Sequence, residues 1–234
     1  MPIAFVGGAT GYTGRAVVSA LIDRGVQTWA HVRPDSPKLD EWEHRFKSIG
    51  AHVDTTAWDD DALAARLKEI GPDAVFGCLG TTKKRVAREA ARGEKSSYRI
   101  VDYGLTVMLH AAAEACGTDP RFVYVSSAGA KPGGDGSYLG ARWAVEQRLI
   151  ESQLPYTIAR PSFITGRDRD EDRPAERFGA AMSDGFLRIV GALGAKRVRD
   201  RYLSTTNAIL GTALVRLAFD ANAAHTIVES EDLR

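Results

Sequence analysis

The sequence predicts an α/β chain forming a single domain: a doubly wound, mostly parallel sheet with helices on both faces, three layers in all. Three observations predict it. Short apolar runs without polar alternation, such as Ile3 to Val6 and Ala74 to Leu79, read as strands buried on both faces. Stretches with apolar residues at helical spacing separate them, and the two kinds alternate without a linker, repeat or low-complexity segment. At 234 residues, 44% of them hydrophobic, the chain can bury a substantial core as one unit.

Each element has its own signal. The first strand leads through a glycine turn, Gly7 to Gly14, into a helix over Arg15 to Arg24. A second strand, Gln27 to Arg33, stops at Pro34, and the charged segment that follows places Leu39, Trp42 and Phe46 on one helical face. Ala51 to Thr56 is the third strand. Asp59 to Ile70 is a short helix whose acidic start suits the helix dipole and whose end is marked by Gly71-Pro72. After the fourth strand comes a long helix over Tyr98 to Cys116, with Val101, Leu105, Met108, Leu109 and Ala112 on a common face and Gly117 at its end. Arg121 to Ser126 is the fifth strand, Tyr138 to Gln153 a helix, Tyr156 to Ala159 the sixth strand, and Leu203 to Asp220 largely helical. The expected strand order is 3-2-1-4-5-6, and the portion from about residue 162 onward is expected to serve the substrate side.

The glycine turn carries the first functional signal. Strand, glycine turn and helix in that order let the backbone approach a pyrophosphate, whose charge then rests on amides at the helix N-terminus. Ala9 breaks the tighter Gly-x-Gly-x-x-Gly spacing, and the chain carries Gly8-x-x-Gly11-x-x-Gly14 instead, a spacing that resembles short-chain dehydrogenases. Gly8, Thr10, Gly11, Tyr12, Thr13 and Gly14 are the expected cofactor-binding residues of this turn. The end of the second strand bears on which dinucleotide fits. An acidic residue there would serve the ribose of NAD, whereas an arginine pairs with the 2′-phosphate of NADP. Arg33 occupies the position and favours NADP; Asp35, just beyond Pro34, leaves NAD open.

Charge and composition exclude several classes. A net charge of +1 gives no global field for nucleic acid or a membrane surface. Cys78 and Cys116 are too few for a disulfide framework and make no metal-ligand pattern, so reduced thiols and no metal are expected. With the first strand starting at Ile3 and no apolar stretch of spanning length, the expected compartment is the cytoplasm.

The chemistry-bearing constellation is Ser126-Ser127 at the end of the fifth strand, followed by Tyr138-Leu-Gly-Ala-Arg142 at a helix start. Residues 138 and 142 share a helix face. A tyrosine needs help to exchange a proton at neutral pH, and a cation one turn away can supply it. With the glycine turn, these residues resemble the short-chain dehydrogenase/reductases. That likeness implies that Ser127 orients a carbonyl or alcohol, Tyr138 transfers the proton and Arg142 stands where the family has lysine. Arginine keeps the charge, but its planar fork differs from the lysine's contacts to a nicotinamide ribose.

The resemblance is closest to the atypical members of that family, the HIV Tat-interacting-protein-like oxidoreductases, with a Rossmann-like fold. It is carried by Gly77-Cys-Leu-Gly-Thr-Thr82, Val101-Asp102, Val125-Ser-Ser127, Tyr138, Arg160-Pro161 and the loop 168–178 with Arg173-Pro174. It implies that Leu79 and Gly80 line the adenosine side and that Pro161 to Ile164 pass near the nicotinamide. Relatives carry an Asp against the adenine after the third strand; Thr56 stands there in this chain, or Asp59 if the register slips.

The implied activity is NADP-favouring oxidoreduction of a small carbonyl or alcohol. A non-catalytic NADP-binding regulator or scaffold is the alternative. A nucleoside-diphosphate-sugar epimerase is a third reading, disfavoured by the short stretch after the sixth strand. The basic run Lys83-Lys84-Arg85, Arg88, Arg92, Lys95 and Arg99 is interrupted by Glu89 and Glu94 and lacks interleaved aromatics, which disfavours nucleic acid. The mixed-sign run Arg167 to Arg173 reads as a surface loop or a flap, and His31 and His52 as strand residues without a role.

Overall fold

A computed structural model of the chain describes residues 1–81, 86–87, 91, 93, 97–133, 137–162, 164–165 and 205–233. The strands are β1 (Ile3–Gly7), β2 (Gln27–His31), β3 (His52–Asp54), β4 (Ala74–Gly77), β5 (Arg121–Val125), β6 (Tyr156–Arg160), β7 (Ile164–Thr165), β8 (Thr205–Thr206) and β9 (Thr226–Glu229). The helices are α1 (Tyr12–Asp23), α2 (Leu39–Ser48), α3 (Asp60–Ile70), α4 (Leu105–Ala115), α5 (Tyr138–Ile150) and α6 (Asn207–Ala218), with a π-helical turn, Tyr98–Gly104, leading into α4. Among the described residues the main sheet runs β3-β2-β1-β4-β5-β6-β9, parallel throughout, and β7 and β8 pair separately.

Alternation along each strand divides the core. Ala4 and Val6 of β1 face one side with Val17, Val18, Phe46 and Leu214, while Phe5 faces the other with Leu63, Leu67, Leu109 and Leu149. Helices α1, α2 and α6 therefore cover one face of the sheet, and α3, α4 and α5 the other. Each fully buried leucine contributes about 1.5–3 kcal/mol, so both layers are needed to hold the strand ends in register.

The expected order holds for six strands, and β9 adds a seventh at the β6 edge. Of the portion from about 162, residues 205–233 rejoin the core: Gly211 of α6 lies so close to Ala16 of α1 that a Cβ there would stand 2.7 Å from the Ala16 carbonyl carbon. Residues 166–204 and 82–85, with Arg88, Glu89, Arg92, Glu94 and Lys95, lie outside the described residues, and with them most of the basic run, the mixed-sign run Arg167 to Arg173 and Arg173-Pro174. No helix among the described residues is long and apolar enough to cross a membrane. Both cysteines are free, Cys116 buried, and no described cluster of His, Cys, Asp and Glu could hold a metal.

Candidate dinucleotide and reaction site

All the site residues expected from the sequence that the structure describes sit at or beyond the C-terminal ends of β1, β2, β4, β5 and β6 or at the starts of α1 and α5. That is the edge at which doubly wound sheets bind ligands.

The glycine turn is tightly built. Gly8 takes φ +78 with the Cys78 carbonyl against it, so a Cβ there would meet that oxygen at 2.6 Å. The Gly11 N–H closes the turn on the Gly8 carbonyl at 2.9 Å. Gly14, buried in the first turn of α1, lies over the same Gly8 carbonyl, and a Cβ would stand 2.2 Å from its oxygen. Gly11 caps α1 without a side-chain hydrogen bond, so the helix start is presented by backbone, with Thr10, Tyr12 and Thr13 around it partly exposed. A small, side-chain-free cradle against a helix N-terminus fits a pyrophosphate.

On the β2 side, Arg33 is exposed just past the strand, and its Nη1 lies 3.7 Å from Asp35 Oδ2. His31 is buried, its Nε2–H donating to the Thr56 carbonyl at 2.8 Å, with Trp58 edge-on at 4.7 Å. Burial lowers its pKa, against the pull of that carbonyl and of Asp54, and keeps the ring neutral. His31, assigned no role from sequence, thus pins the loop after β3. Of the two candidates for the adenine contact, Asp59 is engaged as the cap of α3, accepting the Ala62 N–H at 3.0 Å, while Thr56 is held through its backbone, its N–H donating to Asp54 Oδ1 at 3.1 Å. Asp54 is itself paired with Arg66 Nε at 2.6 Å.

On the other half, Ser126 and Ser127 diverge as alternation along β5 requires. Ser126 is buried and donates to Glu146 of α5 at 2.5 Å, while Ser127 is half-buried with, among the described residues, a long 3.4 Å contact to the Ala128 carbonyl. Tyr138 opens α5, whose cap is Ser137, accepting the Gly140 N–H at 3.0 Å. The Tyr138 ring meets Tyr98 of the π-helical turn edge-on at 5.5 Å and has the Arg142 guanidinium 5.2 Å from its centroid.

Arg142 is the residue whose setting differs most from a solvent-facing cation. It is buried, with Nη2 2.8 Å from Asp102 Oδ1 and Nη1 donating to Val125 O at 2.8 Å and Tyr124 Oη at 3.2 Å. Burial pushes the Tyr124 phenol up to about 12, more than the nearby guanidinium offsets, so it accepts as a neutral hydroxyl. Asp102, wholly buried in the π-helical turn, also takes the Thr81 N–H at 3.0 Å on Oδ2. Gly80 makes room for this arrangement: a Cβ would stand 2.4 Å from Arg142 Nη2. Leu79 turns into the apolar layer with α3 and α4. A π-helical turn at such a place is a recurrent mark of functional sites. In the sequence Asp102 and Thr81 stand out only as parts of a resemblance, and Glu146 and Tyr124 do not stand out as site residues. A mid-helix acid beside apolar neighbours was the one available signal for Asp102 and Glu146.

The model of a family described as NAD(P)H-binding matches residues 8–185, most of the described cradle and site. The chain belongs to the NAD(P)H-binding family. The expected likeness to the NAD(P)-binding atypical short-chain dehydrogenases holds at the level of this family. Among curated relatives, protein FMP52, mitochondrial, of Coccidioides immitis is 29% identical over 74% of this chain and 69% of its own length. Its namesake in Aspergillus fumigatus is 31% identical over 72% and 69%. Protein TIC 62, chloroplastic, of rice is 29% identical over 79% of this chain but only 39% of its own length. Solved structures share the fold at low identity. A structure from a study of pinoresinol-lariciresinol and phenylcoumaran benzylic ether reductases gives a TM-score of 0.66 at 17% identity, covering 97% of this chain and 72% of the other. UDP-glucose 4-epimerase of Thermotoga maritima gives 0.63 at 18%, covering 94% and 74%.

The relatives also correct one expectation. The sequence reading placed the chain in the cytoplasm, whereas the FMP52 proteins it matches are named mitochondrial, so the cytoplasmic assignment does not stand. Its reasons, reduced thiols and a strand at the very start, do not distinguish one reducing compartment from another.

Proposed function

We propose that this chain is an NADP-preferring oxidoreductase acting on a small carbonyl or alcohol. The observation that carries the reading is the meeting of Tyr138, at the first turn of α5, with the buried cation of Arg142 beneath its ring, beside the strand end that presents Ser127. The cradle of Gly8, Gly11 and Gly14 would hold the pyrophosphate, Arg33 the 2′-phosphate, and the segment after Arg160, with Pro161 and Ile164, the nicotinamide side. The cofactor, when bound, supplies or takes up the hydride. Ser127 Oγ orients the substrate oxygen by hydrogen bonding. Tyr138 gives its phenolic proton to that oxygen in reduction and recovers it in oxidation, with the Arg142 guanidinium held against its ring.

Tyr138→Phe is the direct test. Turnover with an aldehyde or quinone panel is expected to fall about a hundred-fold or more while NADPH affinity stays within about two-fold. Unchanged turnover in the variant would remove Tyr138 from the mechanism. For the cofactor, NADPH is expected to bind more tightly than NADH, with the gap shrinking in Arg33→Ala. One charge-assisted contact of about 1.5–3 kcal/mol corresponds to roughly ten- to a hundred-fold. Superimposable titrations of the two cofactors on the parent would refute the preference.

A second reading has a specific observation behind it. The Arg142 guanidinium already serves Asp102, Val125 and Tyr124, which favours a chain that binds NADP and signals its presence without turnover. Steady cofactor binding with no turnover across the panel is what that reading expects.

A further inference from the structure

The end of the chain reaches the reaction half of the site. Arg160 and Glu229 are register partners on β6 and β9, and their side chains meet, Nη1 to Oε1, at 3.1 Å. The other edge of the same guanidinium holds Glu146 of α5, Nε to Oε1 at 3.0 Å and Nη2 to Oε2 at 2.6 Å. Glu146 in turn receives Ser126 Oγ. One residue past β9, the Ser230 hydroxyl, 2% exposed, accepts the Ser162 N–H at 3.2 Å and donates to Ser162 Oγ at 2.9 Å. The loops after β5 and β6 are themselves tied, Ala128 N–H to the Pro161 carbonyl at 2.9 Å.

This polar unit lies at the C-terminal ends of the strands, whereas the layers beneath it are apolar. Stability alone does not call for it, since well-packed apolar residues replace buried ion pairs at little or no cost. What an ion pair and a two-way hydroxyl add is fixed geometry for the backbone they touch. In a doubly wound sheet the β1–β2 half takes the adenosine mononucleotide and the half beyond β4 takes the second one, so here the fixed backbone is that of the nicotinamide half.

We infer that Glu229 and Ser230 are positioning residues for the nicotinamide half of the cofactor site, acting through Arg160 and Ser162 on residues 161–162 and 127–128. The inference rests on the nicotinamide-cofactor reading given above. The last strand is then a brace for the site, and the C-terminal residues belong to the binding machinery although they touch no cofactor.

Calorimetry of the full chain with NADPH and with 2′-phospho-ADP-ribose, which lacks the nicotinamide, tests this. Ser230→Ala is expected to weaken NADPH by about three- to ten-fold, the range of one hydrogen bond, and to leave 2′-phospho-ADP-ribose within two-fold. Glu229→Gln, which keeps the Glu146 pair and the side-chain shape, provides the same comparison should Ser230→Ala fold poorly, with a loss in the same direction. Equal weakening of both ligands, or of neither, would overturn the inference, because a general loss of stability does not single out the nicotinamide half. A parent that takes up neither ligand would overturn the cofactor reading itself.

Discussion

Arg142→Ala is expected to lower stability by about 3–5 kcal/mol, the range for breaking a buried ion pair by removing one partner. The variant removes the cation paired with the wholly buried Asp102 carboxylate, and it strips donors from Tyr124 and the Val125 carbonyl. Thr81 and Gly80 follow β4 and Val125 ends β5, so the damage falls on two strand ends of the candidate site. Cofactor affinity is therefore expected to fall with stability. Urea unfolding of the parent, Arg142→Ala, Asp102→Ala and the double variant measures the pair directly. The double variant should lose clearly less than the sum of the singles, since each alone strands the other's charge. Arg142→Lys should recover only part of the loss, because an ammonium cannot span Asp102, Tyr124 and Val125 as the planar fork does. An Arg142→Ala protein as stable as the parent would show that the buried pair contributes nothing net.

Gly14→Ala is expected to reduce cofactor affinity about a hundred-fold or more, through the loss of several charge-assisted backbone contacts of about 1.5–3 kcal/mol each. The added methyl would stand 2.2 Å from the Gly8 oxygen and 2.8 Å from its carbon, both backbone, so the start of α1 must move away from the turn. Overpacking of that kind costs roughly 1–3 kcal/mol in stability as well. Gly25→Ala is the control: Gly25 has φ +74 but open space around it, so strain of about 1–2 kcal/mol is expected with cofactor binding intact. Titration of both variants with NADPH separates the two effects, and a Gly14→Ala protein that binds like the parent would exclude the turn from the site.

The residues also show why some features were legible and others were not. Phe5 and Val75 mark buried strands because every neighbour on the strand is apolar too, and Gly8, Gly11 and Gly14 mark the turn because both their spacing and their place after β1 are local properties. Tyr138 and Arg142 could be placed on one face from helix geometry alone. β9 could not be found in this way. Its four residues, Thr-Ile-Val-Glu, are too few and show no alternation that would declare a strand, and they become one by pairing with β6 across the intervening chain.

By itself the sequence determined the parallel doubly wound architecture, the order of its first six strands, the glycine cradle and the neighbourhood of Ser127, Tyr138 and Arg142, since each depends on periodicity, turn chemistry or residues a helical turn apart. Tertiary structure alone decided what those side chains are bound to. Arg142 is drawn inward to Asp102, forty residues away, Glu146 joins Ser126 to Arg160, and the chain's last strand closes on β6. A buried charge must find its partner within a few ångströms in space, and distance along the chain places no limit on where that partner comes from.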